Sequence, residues 1–412
     1  MLSHVRPRRV AITGVGIVSS IGVGAEAVTA ALAENRSGIR LVQERRVLGF
    51  RSALSGVVEP FQPRYELSKK KRKSMPEMVE WAHEATREAL AMSHLPQELV
   101  RNPRTGLIFG NDSVAAPSHL QAALTEERKS TSALHSGMVF QSMNSTVTLN
   151  LTAVLGTLGA SWTLSGACAS GGHAIGQAFD LIALGRQDRV ICGGAQEITW
   201  ESVCSFDALC AFSSREDDPQ AASRPFDVDR DGLVPSGGAA AVVLEEYERA
   251  VERGAEILGE VLAYTFSSDG AHIAVPSGDG LARAMSEAIE QVAIPAGEIQ
   301  YVCAHATGTP LGDAVEAAAI GQVFGAARPW VSSTKGMVGH EMWMAGASQL
   351  VYSLLAARAG FIPGNRNFQR PDQHTCNLRI PPEPVRCAPG LMLLNSAGFG
   401  GTNSCLVVRV VQ

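Results

Sequence analysis

Short apolar runs alternate with longer amphipathic stretches along most of this chain. Runs typical of buried strands cover residues 9–19, 105–110, 188–195, 258–268 and 300–304. Stretches with the length and spacing of helices cover residues 169–185, 246–254, 281–293 and 345–359. A further helix is indicated by Met78, Ala82 and Ala85, which recur at helical spacing. Strands that alternate with helices in this way predict an α/β protein whose sheets are largely buried.

The alternation of predicted strands and helices is similar before and after residue 255. With 412 residues, the chain exceeds the size at which one hydrophobic core usually stops growing. We therefore expect two packed halves, residues 1–255 and residues 256–412. No sequence repeat is strong enough to prove that one half is a duplicate of the other.

Two glycines, Gly14 and Gly16, interrupt the first apolar run. They are similar to half of a dinucleotide-binding fingerprint, but Ser19 stands at the third glycine position and no clear acidic partner follows. We therefore interpret the pair as a tight, closely packed turn that the strand enters, and not as a nucleotide site.

The composition is that of an ordinary globular protein, with 45% hydrophobic residues, 18% charged residues and a net charge of −5. No basic excess favours nucleic acid as a partner. The eight cysteines form no CxxC pair and no cluster with histidine, so neither a metal site nor a disulfide framework is predicted. No apolar run approaches the roughly 20 residues that span a membrane, and no secretion signal is evident. We expect a cytoplasmic protein.

Cys168 is the first candidate for chemistry, in the stretch SWTLSGACASGG that covers residues 161–172. A strand-like run precedes it and a helix-like run follows it. A position at such a turn places the thiol beside unpaired backbone N–H groups and the positive end of a helix dipole, which favour thiolate. The alternative is a small buried hydrophobic residue, which is the commoner role of cysteine.

Two histidines in the second half could serve this thiol. His305 and His340 each follow a strand-like run in a loop of small residues, and Lys335 lies five residues before His340. An imidazole can accept a thiol proton or donate hydrogen bonds to developing negative charge. Taken singly, each histidine is as well explained by a structural or surface role.

A glycine-rich loop at residues 393–404 could bring backbone N–H groups to a ligand as oxyanion donors. The alternative is an ordinary hairpin turn. Basic residues cluster at Lys69, Arg72 and Lys73, and a second basic point lies at Arg128 and Lys129. Such clusters are usually solvated surface, but they also suit docking of an acidic partner.

Several motifs in the same order resemble the elongating β-ketoacyl-acyl-carrier-protein synthases, which are condensing ketosynthases of the thiolase superfamily. The motifs are RRVAITGVGIVSSIG, SGACASGGHAIG, PQAASRPFDVDRDGLV from residue 219 onward, AHATGTPLGDAVE, SSTKGMVGH and NSAGFGGTN. The resemblance implies a thiolase-like fold, with duplicated α/β halves in a five-layered α-β-α-β-α arrangement. It also implies a homodimer in which strands continue across the interface, with a heterodimer of related subunits as the other form.

The resemblance implies decarboxylative Claisen condensation. Cys168 would accept an acyl group from the phosphopantetheine arm of acyl carrier protein, and malonyl carrier protein would then lose carbon dioxide and attack it. No bound cofactor and no metal are implied for this chemistry. Acyl carrier protein is the implied partner, and Lys69, Arg72, Lys73, Arg128 and Lys129 lie where the family docks it.

Site roles carry over to the positions that match the family motifs. His305 and His340 would stabilise the charge that decarboxylation creates, and Lys335 would organise Glu316 and His305 electrostatically. Backbone N–H groups of Cys168 and Phe399 would form the oxyanion hole, with Phe399 as a gate. The implied substrate contacts are Thr307, Thr309, Ala397 and Gly400.

Departures from the family pattern concentrate near the expected acyl pocket. Ala306 and Gly308 change a threonine-rich loop, Ala397 replaces a bulky aromatic residue, and residues 341–344 replace a small and aliphatic run. Together they suggest a specialised acyl chain, such as a polyunsaturated or aromatic one. Gln349 stands where an acidic residue is common, which calls a family-type structural cation site into question.

Two other functions remain open from the sequence. A thiolase acting on coenzyme A esters shares cysteine chemistry, but the two histidine motifs with Lys335 argue against it. A non-catalytic or chain-length-determining partner subunit of a heterodimer shares the fold. The presence of Cys168, His305 and His340 disfavours that second alternative.

Overall fold

The computed structural model describes residues 7–412, so the first six residues of the N-terminal segment lie outside it. The strands of the first half are β1 Val10–Ser19, β2 Gly22–Val23, β3 Ile39–Leu41, β4 Leu54–Gly56, β5 Thr105–Gly110, β6 Ser161–Leu164, β7 Arg189–Gln196 and β8 Gly238–Glu246. The strands of the second half are β9 Gly259–Ser268, β10 Tyr301–Cys303, β11 Trp330–Ser332, β12 Phe361–Ile362, β13 Val385–Arg386, β14 Leu391–Gly398 and β15 Thr402–Val410.

The helices are distributed over both halves. Those of the first half are α1 Ala25–Ala33, α2 Gln43–Val47, α3 Lys69–Arg72, α4 Glu77–Met92, α5 Gln97–Val100, α6 Ala116–Arg128, α7 Met138–Gln141, α8 Thr146–Leu155, α9 Ser170–Ala183, α10 Trp200–Ala208 and α11 Tyr247–Glu252. Those of the second half are α12 Asp279–Val292, α13 Pro310–Phe324, α14 Lys335–Val338 and α15 Ala345–Arg358. None of the helices in the described part of the chain is long and apolar enough to cross a membrane.

The main sheet has 11 strands and shows a duplication that the sequence conceals. Its order is β11-β10-β14-β15-β9-β1-β8-β7-β5-β6, with β2 added beside β1. In the first half, β6 and β7 run parallel to β5, and β8 pairs antiparallel with both β7 and β1. In the second half, β11 and β14 run parallel to β10, and β15 pairs antiparallel with both β14 and β9. The two halves therefore share one topology, and a short β1–β9 pairing joins them.

Helices α9 and α15 form the central layer, where they contact strands of both halves. Helix α4 covers the outer face of β1 and β8, and α12 covers the outer face of β9 and β15. Helix α15 is buried on nearly all sides, as expected for a helix between two sheets. These are the five layers of the thiolase-like fold, so the predicted α/β fold class is confirmed.

The central helices cross so closely that only glycine fits at the contact. A Cβ at Gly346 in α15 would lie 2.4 Å from the backbone nitrogen of Gly172 in α9. Because both positions are within the first turns of their helices, the crossing brings the two helix N-termini together. Cys168 precedes α9 and His340 precedes α15, so this crossing brings the thiol to the imidazole.

The predicted turn at Gly14 and Gly16 is wrong. Both glycines lie inside β1, whose 10 residues are all buried. A Cβ at Gly16 would lie 1.9 Å from the carbonyl oxygen of Ala85, and a Cβ at Gly14 would lie 2.1 Å from that of Ala89. The glycines therefore allow the backbone of α4 to lie against the strand, which is close packing without a turn.

The other predicted elements are present with small shifts of their bounds. The structure has strands at β5, β7, β9 and β10 and helices at α9, α11, α12 and α15, where the apolar pattern predicts them. The helix with Met78, Ala82 and Ala85 is α4, and all three side chains are buried. The basic cluster before it forms the separate short helix α3.

Candidate active site

Cys168 lies in a single 3₁₀ turn, Ala167–Ala169, between β6 and α9. The turn is held in an uncommon backbone conformation, with a φ of 46° at Ala167. Its Sγ lies 3.1 Å from Nε2 of His340. The thiol is thus within hydrogen-bond reach of a candidate base.

Burial raises the pKa of the Cys168 thiol to about 12, although the charge of Lys335 acts in the opposite direction. In the free protein, burial therefore outweighs the effects that favour thiolate. The loss of water around the sulfur disfavours its charged form. The resting group is a thiol, which requires a base when it attacks.

His305 and His340 face each other edge to face, with ring centroids 5.2 Å apart. Burial lowers the pKa of both rings well below the ordinary value, and the charge of Lys335 lowers both further. Both rings are therefore neutral near pH 7. Among the described residues, neither Nδ1 atom has a hydrogen-bond partner, so neither ring is fixed in one tautomer. Each Nε2 can present a lone pair or an N–H group.

Lys335 and Glu316 lie behind the two histidines. Oε1 of Glu316 accepts the backbone N–H of His305 at 2.8 Å and Nδ2 of Asn395 at 3.1 Å. Burial raises the pKa of Glu316 to about 7, and Lys335 counteracts part of that rise. The hydrogen bond of the Lys335 ammonium goes to Oε1 of Gln349, at 3.3 Å. The lysine therefore acts on Glu316 and on the histidines through its charge.

A cavity of about 440 Å³ borders Cys168, His305 and His340. Thr307, Thr309, Glu316, Ala397 and Phe399 also contribute to its wall. The hydroxyl oxygens of Thr307 and Thr309 lie 3.1 Å apart. The cavity can accommodate an extended chain that carries a reacting carbonyl group to the sulfur.

The loop Phe399–Gly401 joins β14 to β15, so it is both a hairpin connection and part of the cavity wall. The Phe399 ring is 39% exposed and stacks on Phe206 with centroids 6.0 Å apart. A Cβ at Gly398 would lie 2.8 Å from the carbonyl oxygen of Gly166. The loop backbone therefore packs against the turn that carries Cys168.

Two family models match the chain, "Beta-ketoacyl synthase, N-terminal domain" over residues 7–250 and "Beta-ketoacyl synthase, C-terminal domain" over residues 258–369. The chain belongs to the β-ketoacyl synthase family. A similar relative is 3-oxoacyl-[acyl-carrier-protein] synthase 1 of Escherichia coli strain K12, with 39% identity over 98% of this chain and 100% of that protein. This ketosynthase is accordingly a condensing acyltransferase.

Solved structures agree with the family. A β-ketoacyl synthase from Burkholderia phymatum STM815 superposes with a TM-score of 0.93 at 33% identity, over 98% of this chain and 100% of that one. The ishigamide ketosynthase/chain length factor superposes with a TM-score of 0.91 at 30% identity and the same coverage.

Some predicted residues of this ketosynthase lie outside the cavity wall. The wall includes Gly398 and Gly401 but not Gly400, whose N–H donates to the carbonyl oxygen of Ile273 at 2.7 Å. The basic residues lie in two separate segments. Lys69, Arg72 and Lys73 are in or beside α3, whereas Arg128 and Lys129 end α6.

Helix α7 connects the two basic segments. Nε2 of Gln141 donates to the carbonyl oxygen of Lys73 at 3.2 Å, and Nε2 of Gln121 in α6 donates to that of Met138 at 2.8 Å. The basic residues at both ends of this arrangement are exposed. We refer to these basic residues together as the basic region.

Sequence reasoning missed two contributors to the site, Asp313 and Phe206, and assigned no role to Trp343 within residues 341–344. Asp313 accepts the backbone N–H groups of Phe226, Thr307 and Gly308 at 2.7–3.1 Å, which fixes the threonine loop. Asp313 lies in the first turn of α13, shortly after Thr307 and Thr309. This position in the sequence could have identified it as a residue that holds the threonine loop. Phe206 and Trp343 pack near Cys168 in one apolar cluster, and only the tertiary fold brings them there.

Proposed function

We propose that this ketosynthase joins an acyl group, held as a thioester on Cys168, to a malonyl group carried by acyl carrier protein. Carbon dioxide leaves and a 3-oxoacyl thioester two carbons longer is the product. The observation that carries the proposal is the 3.1 Å approach of Cys168 Sγ to His340 Nε2, with His305 beside them on one cavity.

The first half-reaction transfers the acyl group. Nε2 of neutral His340 takes the thiol proton while Sγ attacks the thioester carbonyl carbon of the incoming acyl group. Backbone N–H groups of Cys168 and Phe399 stabilise the oxyanion. The carbonyl re-forms, the phosphopantetheine sulfur leaves, and it takes the proton from His340. The imidazole is then neutral again.

The second half-reaction forms the carbon–carbon bond. The malonyl carboxylate leaves as carbon dioxide, and its bonding electrons move to the thioester oxygen as an enolate. Nε2–H groups of His305 and His340 donate to that oxygen, which the free tautomerism of both rings permits. The enolate carbon attacks the acyl carbonyl of Cys168, the carbon–sulfur bond breaks, and the released thiolate takes up a proton from solvent.

Acyl carrier protein is the proposed partner, docked on Lys69, Arg72, Lys73, Arg128 and Lys129. The relative from E. coli is named for acyl carrier protein, and all five basic residues are exposed. Clustered positive charge suits an acidic protein because electrostatic steering requires no precise fit. Thr307 and Thr309 would bind the pantetheine arm in the cavity.

The acyl chain is proposed to be a specialised one, unsaturated or aromatic. Beside Cys168, Trp343 and Phe206 have ring centroids 6.2 Å apart, and Phe206 also stacks on Phe399. Flat chains pack on such aromatic faces. Equal elongation of plain saturated primers would contradict this part of the proposal.

The assembly is proposed to be a homodimer through β6, which is one of the two edge strands of the sheet and exposes Trp162. Edge strands with exposed apolar residues readily pair with another chain. A cytoplasmic location is supported by eight cysteines that are all free thiols. A heterodimer with a related subunit is the second candidate, because one structural neighbour is a ketosynthase/chain length factor.

The test is acylation of the purified protein by a panel of saturated, unsaturated and aryl thioesters of acyl carrier protein. We expect one acyl adduct on Cys168 by mass spectrometry, and loss of adduct and product in Cys168→Ala. His305→Ala should chiefly impair malonyl decarboxylation, whereas His340→Ala should impair both acylation of Cys168 and malonyl decarboxylation.

The matched control is Cys204→Ala, since Cys204 is exposed on α10 and does not border the cavity. This variant should form the adduct at the rate of the unmodified protein. No Cys168 adduct with any thioester would refute the catalytic function and favour a partner subunit. Preference for coenzyme A esters over carrier-protein esters would favour a thiolase.

A further inference from the structure

Gln349 occupies the centre of a buried polar cluster behind the active site. Its Nε2 donates to the carbonyl oxygens of Ala304 and Asn395, each at 3.0 Å, and lies 3.5 Å from Sγ of Cys303. Its Oε1 accepts the ammonium group of Lys335 at 3.3 Å. All five residues are fully or almost fully buried. Every polar atom of the amide is therefore used.

The orientation of this amide is fixed by its neighbours. Carbonyl oxygens only accept hydrogen bonds and an ammonium group only donates them, so the NH₂ must face the carbonyls and the oxygen must face Lys335. In the reverse orientation, the NH₂ group would face the ammonium donor of Lys335 and the amide oxygen would face the two carbonyl acceptors. The donor therefore points at the position where the two carbonyl oxygens converge.

The resemblance to the family raises the question of a structural cation at this position. Converging carbonyl oxygens together with a carboxylate are ligands that a small hard cation prefers. In this chain, the N–H groups of Gln349 fill the space between the oxygens of Ala304 and Asn395, and the side chain at position 349 is an amide and not a carboxylate. A cation would meet hydrogen atoms, so these residues do not fit one.

We infer that the carboxamide of Gln349 takes the place of a structural cation and positions Lys335. The NH₂ group ties the end of β10 to β14, as a bound ion would. The oxygen holds the ammonium group of Lys335, whose charge acts on both histidines. Gln349 touches no substrate and is a positioning residue. Its effect on turnover rests on the proposed function, whereas the replacement of the cation does not.

The test compares the protein in sodium chloride, potassium chloride and tetramethylammonium chloride at equal ionic strength. Tetramethylammonium is too large to enter the cluster. The melting temperature of the unmodified protein should be the same in all three salts, and so should its rate of malonyl decarboxylation. Gln349→Glu should melt several degrees lower and react at least about tenfold more slowly in tetramethylammonium, and sodium or potassium should restore both.

Two further variants separate this role from a general packing role. Gln349→Met keeps the volume but removes donor and acceptor, so it should be impaired equally in all three salts. Gln373→Glu makes the same chemical change at an exposed position and should behave as the unmodified protein.

A salt-specific rise in melting temperature of the unmodified protein would overturn the inference, as would equal behaviour of Gln349→Glu in all salts. Crystals of the unmodified protein grown with rubidium give a second readout that does not depend on any variant. An anomalous peak within about 3 Å of the Ala304 and Asn395 carbonyl oxygens would also overturn it. If Cys168 forms no adduct while the melting pattern holds, only the proposed function fails.

Discussion

Lys335 supplies a buried positive charge that sets the protonation of the groups around it. Burial lowers its own pKa, and Glu316 and Glu341 counteract that effect. Its charge lowers the pKa of His305 and His340 and acts to lower the pKa of Cys168 and Glu316. One ammonium group thus favours a neutral imidazole as base and an ionised sulfur as its product.

Replacement of this charge should alter the pH dependence of acylation. In Lys335→Met, the pKa of His340 should rise, because the ammonium group no longer disfavours the imidazolium. The base is then protonated at a higher pH, so the acidic limb of the acylation rate should move to higher pH. The rate of Cys168 acylation by an N-acetylcysteamine thioester, measured from about pH 5.5 to pH 9, reports the shift.

The control variant Lys70→Met removes an equal charge from the exposed helix α3. It should not shift the acidic limb of the pH–rate profile for acylation. Since the small thioester requires no carrier protein, docking does not enter the comparison. If the acidic limb of the pH–rate profile were the same in Lys335→Met as in the unmodified protein, the electrostatic role assigned to Lys335 would be contradicted.

At this scale, the sequence identified the groups that react but not all of those that arrange them. Cys168, His305 and His340 lie in loops of small residues. Such loops leave room for a substrate to reach the side chains. Their roles in turnover stay predictions. The partners of Gln349 and Asp313 are backbone groups from other elements, so only the assembled fold defines them. The protonation of Cys168 was misjudged because burial cannot be read from neighbours in sequence.

Among the elements, β1 and α4 show how backbone contact rather than side-chain contact can fix a pair. The apolar pattern predicted both elements and their buried faces. The glycines of β1 were assigned to a turn, because their purpose depends on a helix that begins about 60 residues later, at Glu77. The close approach of α4 is what the glycines permit.

Gly16→Ala should lower the free energy of unfolding by at least about 2 kcal/mol, because its Cβ would overlap the carbonyl oxygen of Ala85. Chemical denaturation monitored by circular dichroism measures the change. Gly321→Ala, in the exposed part of α13 with no atom within 4 Å of the new Cβ, should instead stabilise by up to about 1 kcal/mol. Equal effects of the two substitutions would contradict the close packing of α4 on β1.

At the scale of the whole molecule, the proposed contacts with other proteins involve the edge strand β6 and the basic region. Strand β6 ends the 11-stranded sheet and leads directly to the turn that carries Cys168. A second chain paired there would lie close to the nucleophile. The resemblance predicted this dimer, and exposure of Trp162 supports it.

Trp162→Glu should convert the proposed dimer to a monomer, because a buried carboxylate at a paired edge is costly. Sedimentation velocity at micromolar concentrations distinguishes the two states. Val47→Glu places the same charge on a residue that is 87% exposed and should leave the dimer intact. A monomeric unmodified protein, or a dimeric Trp162→Glu, would contradict the assignment of the interface.

Charge reversal in the basic region should weaken binding of carrier protein without harming the site. In the double variant Lys73→Glu and Arg128→Glu, KM for an acyl carrier protein thioester should rise roughly tenfold at low salt. KM for the N-acetylcysteamine thioester should not change. Arg186→Glu, an exposed residue near the end of α9, is the control. If the double variant and the unmodified protein had equal KM values for the carrier-protein thioester, docking at this region would be contradicted.

The pairings of β1 also govern how the chain reaches its native state. Val10 lies opposite Glu246 on one side and Val261 on the other, so this strand finds both neighbours only after the first half of the chain is in place. Such non-local pairing makes folding slow, since a long loop must close before its contacts stabilise it. Until then, one of the most apolar segments of the protein stays exposed. Recovery after denaturation should therefore depend on dilution, because aggregation competes with correct pairing.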